Sequence, residues 1–213
     1  MPTVNVPALQ TADESDRVGV SDQLPLSPIL AAALTELKEH GYHGTTVRGI
    51  ASRVGLTMPS LYYHYGNKEG ILFALLEIAM DDLLARIQGG LEQAGGDTKA
   101  RFSKFVSAVA LHNTLRHDLA RLHDEFRFLG SDFRARYVAK RRIVEEILVE
   151  LLEAGVAEDI FDVEDIRFTS RLILGMLTSI PDWYNEDGRL SAGEIAEEYA
   201  RNALRLVAHN GAG

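Results

Sequence analysis

The sequence contains no cysteine, a single tryptophan and six prolines among its 213 residues. Because cysteine is absent, disulfide bonds and thiolate metal sites are excluded, as is typical of a protein from a reducing compartment. No run of about 18 uncharged apolar residues occurs, so no transmembrane helix is expected. The N-terminus also lacks the basic flank and apolar core of a secretory signal. These absences predict a cytoplasmic protein with no membrane partner.

Acidic side chains outnumber basic ones, and the formal net charge is −9. A negative surface discourages non-specific binding to nucleic acid. The charge is nevertheless unevenly distributed along the chain. Residues 27–72 carry 4 basic and 3 acidic side chains, whereas residues 1–26 and 73–213 are both acidic. The segment with the positive balance is therefore the expected location of a small anion-binding surface.

Residues 46–65 have the pattern of two short helices joined by a tight turn. One apolar stripe at helical spacing is formed by Val47, Ile50, Ala51 and Val54. Thr46 can cap the first helix, and Gly55 can adopt the left-handed conformation that ends it. Thr57 is a second capping residue, and Pro59 suits the first turn of the next helix. This arrangement indicates a helix-turn-helix, which inserts its second helix into the major groove of DNA.

The same segment resembles the TetR family of transcriptional regulators. The shared motifs are Thr45-Thr46-Val47-Arg48, Ile50-Ala51, Gly55-Leu56, Leu61-Tyr62-Tyr63-His64-Tyr65 and Asn67-Lys68-Glu69. The resemblance covers approximately residues 23–83 and departs from the family at Tyr65, where phenylalanine is usual. It implies an all-α fold with an N-terminal three-helix DNA-binding domain and a C-terminal domain for ligand binding and dimerisation. It also implies a homodimer that binds double-stranded operator DNA and responds to a small-molecule effector.

Hydrophobic periodicity and turn residues predict about nine helices and no sheet. Residues 1–22 are predicted to be a disordered arm, residues 23–83 the DNA-binding domain, and residues 84–213 the effector and dimerisation domain. The predicted helices are one over residues 27–40, two within 46–65, and further ones over 68–89, 98–115, 118–128, 132–154, 163–184 and 191–208. Ser191 followed by Glu194 forms a capping-box pattern at the start of the last helix.

Five of the predicted DNA contacts lie at helix starts and on the first helix of the motif. Thr46 can donate its hydroxyl to a phosphate at a helix N-terminus. Arg48 can bind a guanine edge with two parallel hydrogen bonds or hold a phosphate. The recognition helix opens with side chains that are expected to touch base edges, namely Thr57, Pro59 and Ser60.

The remaining predicted DNA contacts lie on the second helix and at the start of the helix that follows Asn67. Tyr63, His64 and Lys68 are expected to hold phosphates and to set the register on the duplex. Tyr62 is included with them, although its alternative role is packing. Replacing Lys68 with alanine is expected to weaken binding equally on all sequences and to flatten the salt dependence by roughly one unit of slope.

The resemblance implies an effector pocket among the helices between residues 98 and 184. The candidate lining residues are Phe105, Val109, His112, Leu122, Phe126, Tyr137, Arg141, Met176 and Trp183. The alternative role of the apolar members is to fill the core. His112, His117 and His123 are five and six residues apart and do not share a helical face, so no metal site is predicted.

One segment resembles members of the family that respond to acyl-CoA, and a basic run elsewhere is compatible with such a ligand. Trp183-Tyr184 precedes an acidic turn and the helix start at Ser191. The basic run Lys140-Arg141-Arg142 can meet the phosphates of such a ligand, with a solvated helix face as the alternative.

The last two predicted helices favour association of two chains. Residues 172–180 are apolar around most of the helix, and such a helix must be covered on both sides. The predicted interface residues are Leu172, Ile173, Met176, Ile180, Ile195, Tyr199, Ala203 and Leu206. Two such helices from each of two chains can form a four-helix interface. A buried central helix within one chain is the alternative.

The function predicted from the sequence is a ligand-responsive DNA-binding regulator without a cofactor. We expect a repressor that binds a palindromic operator as a dimer and is released by a small apolar molecule or an acyl-CoA. A helical enzyme is the first alternative, but the sequence has no nucleophile elbow, metal-pair spacing or glycine-rich phosphate loop. The second alternative is a dimer whose helix-turn-helix binds only protein.

Overall fold

The computed structural model describes residues 24–208, so the predicted N-terminal arm lies outside the described residues. Within this range the chain forms ten α-helices, one 3-10 segment and a single β-bridge between Phe161 and Ala208. The prediction of an all-α fold is confirmed. The helices are α1 (Pro28–Gly44), α2 (Val47–Val54), α3 (Met58–Tyr65), α4 (Lys68–Ala94), α5 (Thr98–Leu115), α6 (His117–Arg121), α7 (Ser131–Ala157), α8 (Ile166–Thr178), α9 (Ile180–Trp183) and α10 (Ala192–Val207).

Local capping chemistry explains the boundaries of the N-terminal helices. The backbone N–H of Gly49 donates to Thr46 Oγ1 at 3.0 Å, and Gly55 ends α2 with φ 64°. Asn67 caps α4 by accepting from the backbone N–H of Gly70 at 2.8 Å. Thr57 occupies the N-cap position of α3 but makes no capping hydrogen bond with its side chain. The predicted helix-turn-helix over residues 46–65 is therefore confirmed with its caps, except for the Thr57 hydroxyl.

Three predicted helix boundaries were wrong. Helix α4 continues through Gly89 and Gly90 to Ala94, because an α-helix tolerates glycine until a residue takes positive φ, as Gly95 does at 61°. The helix expected over residues 163–184 is divided at Ser179, and the next helix carries Pro181 in its first turn. Residues 118–128 are divided into α6 and a 3-10 segment, Leu122–Phe128.

Helix α5 is the centre of the C-terminal domain and packs against α4, α7, α8 and α10. Phe102 and Phe105 on this helix are fully buried, and the Phe102 ring lies 5.1 Å from that of Phe161. The capping box at Ser191 and Glu194 is present at the start of α10, as predicted. Across residues 24–208, none of the helices combines the length and the hydropathy needed to cross a lipid bilayer.

Candidate nucleic-acid interface and effector cavity

The helix-turn-helix presents a mixed polar and aromatic face to solvent. Tyr63 is 86% exposed and Tyr62 44% exposed, whereas Leu61 between α3 and the core is 1% exposed. The Tyr65 hydroxyl lies 3.2 Å from Ser27 Oγ, the N-cap of α1. The exposed set contains Thr46, Arg48, Thr57, Pro59, Tyr62, Tyr63 and His64, and Ser60 is half-buried. The Tyr65 hydroxyl, at a position where the family usually has phenylalanine, thus connects α3 to the start of α1 by a hydrogen bond.

The positive charge of this face rests on Arg48. This arginine is exposed and makes no ion pair among the described residues. Arg53, further along α2, forms ion pairs with Glu36 and Glu39 on α1. Glu36 is 7% exposed, so this ion pair fixes α2 against α1. The guanidinium of Arg53 is therefore a structural group, and the carboxylates are occupied by it.

Lys68 occupies a different position from the one expected for a phosphate contact. The side chain is half-buried, and its ammonium donates to the backbone carbonyls of Tyr42 at 2.7 Å and Thr45 at 3.0 Å. The same ammonium lies 4.3 Å from the centre of the Tyr42 ring. Because Lys68 satisfies carbonyls at the end of α1, it joins α4 to the turn that precedes α2.

This contact changes the expected effect of a Lys68 substitution. We expect Lys68→Met to lower the free energy of unfolding by about 1–3 kcal/mol, because two carbonyls lose a charged donor. The salt dependence of DNA binding should stay close to that of the wild type. Arg48→Ala, the control, should instead reduce the salt slope by about one unit with little loss of stability. Urea unfolding and gel shifts across a salt series measure both quantities. A full unit of slope lost in the Lys68 variant would restore the phosphate role.

The DNA-binding helices contact the C-terminal domain through the end of the 3-10 segment. Phe128 stacks on the Tyr42 ring of α1, with ring centres 4.8 Å apart and planes at 6°. Just beyond it, the backbone N–H of Gly130 donates to Glu69 Oε1 on α4 at 2.7 Å. A Cβ at Gly130 would lie 3.1 Å from the same oxygen. This junction therefore links both ends of the helix-turn-helix to the start of α7.

A cavity of about 410 Å³ lies between α4, α5, α7, α8 and the 3-10 segment. Its apolar wall includes Met80, Leu83, Val144 and Leu174, together with the predicted Val109, Phe126 and Tyr137. Its polar lining includes Asn113, Arg121, His123, Asp124, Arg142, Glu145, Thr178 and Asp182, together with the predicted Arg141. The volume is within the range typical of small-molecule sites. Four of the nine sequence-predicted residues thus meet at one cavity.

The other five predicted lining residues do not line this cavity. Phe105 and Leu122 are buried core residues, with exposures of 0% and 5%. His112 is fully buried beside the cavity wall and binds Asp82 on α4. Met176 and Trp183 lie on the outer surface, 37% and 50% exposed. The sequence pattern could not separate these cases, because helical periodicity does not show whether an apolar side chain faces the cavity, the core or solvent.

A chain of polar side chains runs beside and into the cavity wall. His112 Nδ1 lies 3.0 Å from Asp82 Oδ2, and the His123 Nδ1 forms a hydrogen bond with the Tyr137 hydroxyl. Burial alone would raise the pKa of Asp82, but hydrogen bonds from His112 and Arg86 lower it to about 2. The carboxylate is therefore charged, and His112 donates from Nδ1 to it. Within the described residues His112 Nε2 has no hydrogen-bond partner.

Burial fixes the charge states of the two aromatic groups at the cavity. It lowers the pKa of His123 to about 3, assisted by the nearby positive charge of Arg141. It also raises the pKa of the Tyr137 hydroxyl above its usual value. Both side chains are therefore neutral near pH 7. His123 was not predicted as a lining residue, because residues 118–128 were expected to form one regular helix. Residues 122–128 instead form a 3-10 segment, in which the His123 side chain lines the cavity.

The three histidines considered for a metal are not brought together. The rings of His112 and His123 are 6.4 Å apart, whereas His117 lies against Tyr184, 6.0 Å between ring centres. In the part of the chain that is described, one group of potential ligands meets, namely Glu36, Glu39 and His40. Arg53 already forms ion pairs with both carboxylates of that group.

The predicted dimer residues divide into two sets. Ile173, Ile180, Ile195 and Ala203 are buried within the chain at 0–2% exposure, so their assignment to a dimer surface was wrong. The exposed set is Leu172, Met176 and Leu206 at 37–46%, with Tyr199 half-buried. Phe168, which was not predicted, extends this exposed surface along α8 at 57% exposure. The Trp183 ring stacks on Tyr199, 6.4 Å between centres. Helix α8 is apolar around its circumference because one side packs in the core while the other forms an exposed apolar surface.

A chain of α-helices with a capped helix-turn-helix near its N-terminus and a cavity among the helices that follow has the architecture of a DNA-binding regulator. The protein-family model "Bacterial regulatory proteins, tetR family" matches residues 29–75. The model described as "Tetracyclin repressor-like, C-terminal domain" matches residues 95–207. The chain therefore belongs to the TetR family of transcriptional regulators, as the sequence motifs indicated.

Three similar proteins extend this assignment along the chain. The HTH-type transcriptional repressor KstR2 of Rhodococcus jostii (strain RHA1) is 27% identical over 187 residues, covering 85% of this chain and 91% of its own. The crystal structure of the regulator PfmR from Thermus thermophilus has a TM-score of 0.77 at 30% identity, covering 84% of this chain and 98% of PfmR. The structure of AibR in complex with isovaleryl coenzyme A and operator DNA has a TM-score of 0.72 at 25% identity and covers 84% and 95%.

Proposed function

We propose that this chain is a dimeric repressor that binds a palindromic operator and is released by an acyl-CoA in the cavity. The observation that carries the proposal is the 3-10 segment, whose two ends touch the cavity and the DNA-binding helices. Phe126 lines the cavity, and Phe128, two residues later, stacks on Tyr42 of α1. A ligand that displaces this segment acts directly on α1, the helix against which α2 of the helix-turn-helix packs.

The proposed DNA surface consists of the exposed side chains of the helix-turn-helix. Thr46 accepts from Gly49 through its oxygen, so its hydroxyl hydrogen is available for a phosphate. Arg48 supplies a cation, and the start of α3 carries the small groups Thr57, Pro59 and Ser60 toward base edges. Tyr62, Tyr63 and His64 supply phosphate contacts. Lys68 is proposed to position the motif rather than to hold a phosphate.

The exposed apolar surface on α8 and α10 supports the dimeric part of the proposal. Leu172 and Met176 are four residues apart on α8, and both remain uncovered in the single chain. Two copies of this surface can close on one another about a two-fold axis. A two-fold dimer presents two recognition helices to successive major grooves, as a palindromic operator requires.

The cavity lining and one relative support the acyl-CoA. Arg121, Arg141 and Arg142 line the cavity, are exposed, and form no ion pairs among the described residues. They can bind phosphates, while the apolar wall suits an acyl group. AibR was crystallised with isovaleryl coenzyme A and operator DNA. Asp124, Glu145 and Asp182 balance the arginines, so the lining as a whole is not cationic.

Gel shifts with the DNA upstream of the protein's own gene test both halves of this function. We expect a discrete complex that isovaleryl-CoA dissociates and that free coenzyme A leaves intact. Phe128→Ala removes the stack on Tyr42 and should leave ligand binding near the wild-type affinity while making release require more ligand. The absence of any specific complex would contradict DNA binding. A complex that no acyl-CoA dissociates would contradict the assigned effector.

A further inference from the structure

The cavity wall contains one polar group whose orientation and charge are both fixed by its neighbours. His123 lines the cavity from the 3-10 segment, and its Nδ1 is bonded to the hydroxyl of Tyr137 on α7. The Tyr137 side chain is 1% exposed, and its hydroxyl has this hydrogen bond as its single partner among the described residues. Both members of the pair therefore belong to the interior surface that a ligand would meet.

The direction of this hydrogen bond follows from acid–base chemistry. A phenol is a stronger acid than a neutral imidazole N–H, and an imidazole nitrogen is a stronger base than a phenol oxygen. The Tyr137 hydroxyl therefore donates to His123 Nδ1, which leaves the single ring proton on Nε2. His123 Nε2 is consequently a hydrogen-bond donor, whereas in the other tautomer the same nitrogen would be an acceptor.

Burial and a cationic neighbour keep this donor neutral. Burial is the largest cause that lowers the pKa of His123, and the Arg141 guanidinium on α7 lowers it further. Asp82 on α4 is engaged by His112 and Arg86 rather than by His123. A neutral N–H matches a neutral carbonyl oxygen, whereas a carboxylate or phosphate would favour a cation such as the neighbouring Arg141.

We propose that His123 Nε2–H binds the thioester carbonyl oxygen of the effector, and that Tyr137 positions His123 by holding it in this tautomer. The inference rests on the proposed function, because it gives the acyl-CoA its specific contact in the cavity. The acyl group then lies along the wall formed by Leu83, Val109 and Val144, and the coenzyme extends toward the arginines. The thioester is thereby distinguished from a thioether or a hydrocarbon of the same shape.

Two probes isolate this contact. Isovaleryl-CoA and S-(3-methylbutyl)-CoA have the same carbon skeleton and the same pantetheine amides, but the second has no thioester carbonyl. Calorimetric titration of the full-length wild-type protein should give about tenfold weaker binding for the thioether, since one buried hydrogen bond contributes about 1.4 kcal/mol. The two probes differ only at the carbonyl, so the contributions of the phosphate and amide contacts cancel in the ratio of their affinities.

Three variants assign the difference to His123 and Tyr137. His123→Leu should bind the two probes within twofold of each other. His123→Gln keeps an N–H donor near the position of Nε2 and should retain most of the preference for the thioester. Tyr137→Phe keeps the ring but releases the tautomer, so the preference should fall to about threefold or less. Thermal unfolding of each variant confirms that a folded protein is compared.

The outcomes separate this inference from the proposed function. Equal affinity of the wild type for both probes would overturn the carbonyl contact and leave an acyl-CoA effector in place. A preference that persists in His123→Leu would assign the carbonyl to another donor and overturn the role of His123. No binding of either probe would overturn the acyl-CoA assignment and this inference with it, whereas the gel shift would still report DNA binding.

Discussion

Leu172→Arg is expected to convert the protein into a monomer and to lower its operator affinity by about 10²-fold or more. Leu172 is 44% exposed at the centre of the apolar surface on α8, between Phe168 and Met176. In the proposed dimer the same surface of the second chain covers this one. The substitution would therefore bury two arginines, one from each chain, and neither would have a partner of opposite charge. Uncompensated burial of a charge costs several kcal/mol. Each monomer would then hold one half-site without the other.

Light scattering after size-exclusion chromatography and gel shifts with the upstream DNA measure the two effects. Val156→Arg is the matched control, because Val156 is also an exposed apolar residue, at 37%, but lies on α7. This variant should remain a dimer and bind DNA like the wild type. A Leu172→Arg protein that stays dimeric would assign the interface to another surface, and a Val156→Arg monomer would show that α7 contributes to it.

The DNA-binding half of the molecule was predictable because its signals are local. Thr46, Gly55 and Asn67 act on backbone groups within three or four residues, so their roles can be assigned without the rest of the fold. The contacts of Lys68 could not be predicted in this way, because its partners, the carbonyls of Tyr42 and Thr45, are more than 20 residues away in sequence. A basic residue beside a helix-turn-helix is compatible with phosphate binding and with capping the preceding helix.

The C-terminal half was harder because one apolar pattern serves two surfaces. Ile173 and Leu172 are neighbours on α8, yet the first is fully buried within the chain and the second is exposed. Periodicity alone does not state which side faces the chain's own core, since both sides of this helix are apolar. The cavity depends similarly on the break at Ser179 and on the 3-10 segment, neither of which has a strong sequence signal.

The joint between α3 and α4 leads to the other large expected effect. Gly70 packs against the end of the recognition helix, where an added Cβ would lie 2.0 Å from the Tyr65 carbonyl oxygen and 3.1 Å from its carbon. A backbone carbonyl cannot rotate away as a flexible side chain would. The backbone N–H of Gly70 is also held by the Asn67 cap at 2.8 Å, so the first turn of α4 has little freedom to move. The recognition helix must therefore shift if a methyl group is added.

Gly70→Ala is expected to lower the free energy of unfolding by about 3 kcal/mol and to weaken operator binding at least tenfold, on the order of the cost of overpacking a rigid site. Gly89→Ala is the matched control on the same helix, because no atom lies within 4 Å of its added Cβ. Glycine inside a helix is unfavourable, so this control should gain about 0.5–1 kcal/mol. Chemical unfolding and gel shifts measure both variants.

If Gly70→Ala bound the operator with wild-type affinity, α3 would not need its close approach to α4 to read DNA. If it were destabilised but bound normally when folded, the close approach would serve stability alone.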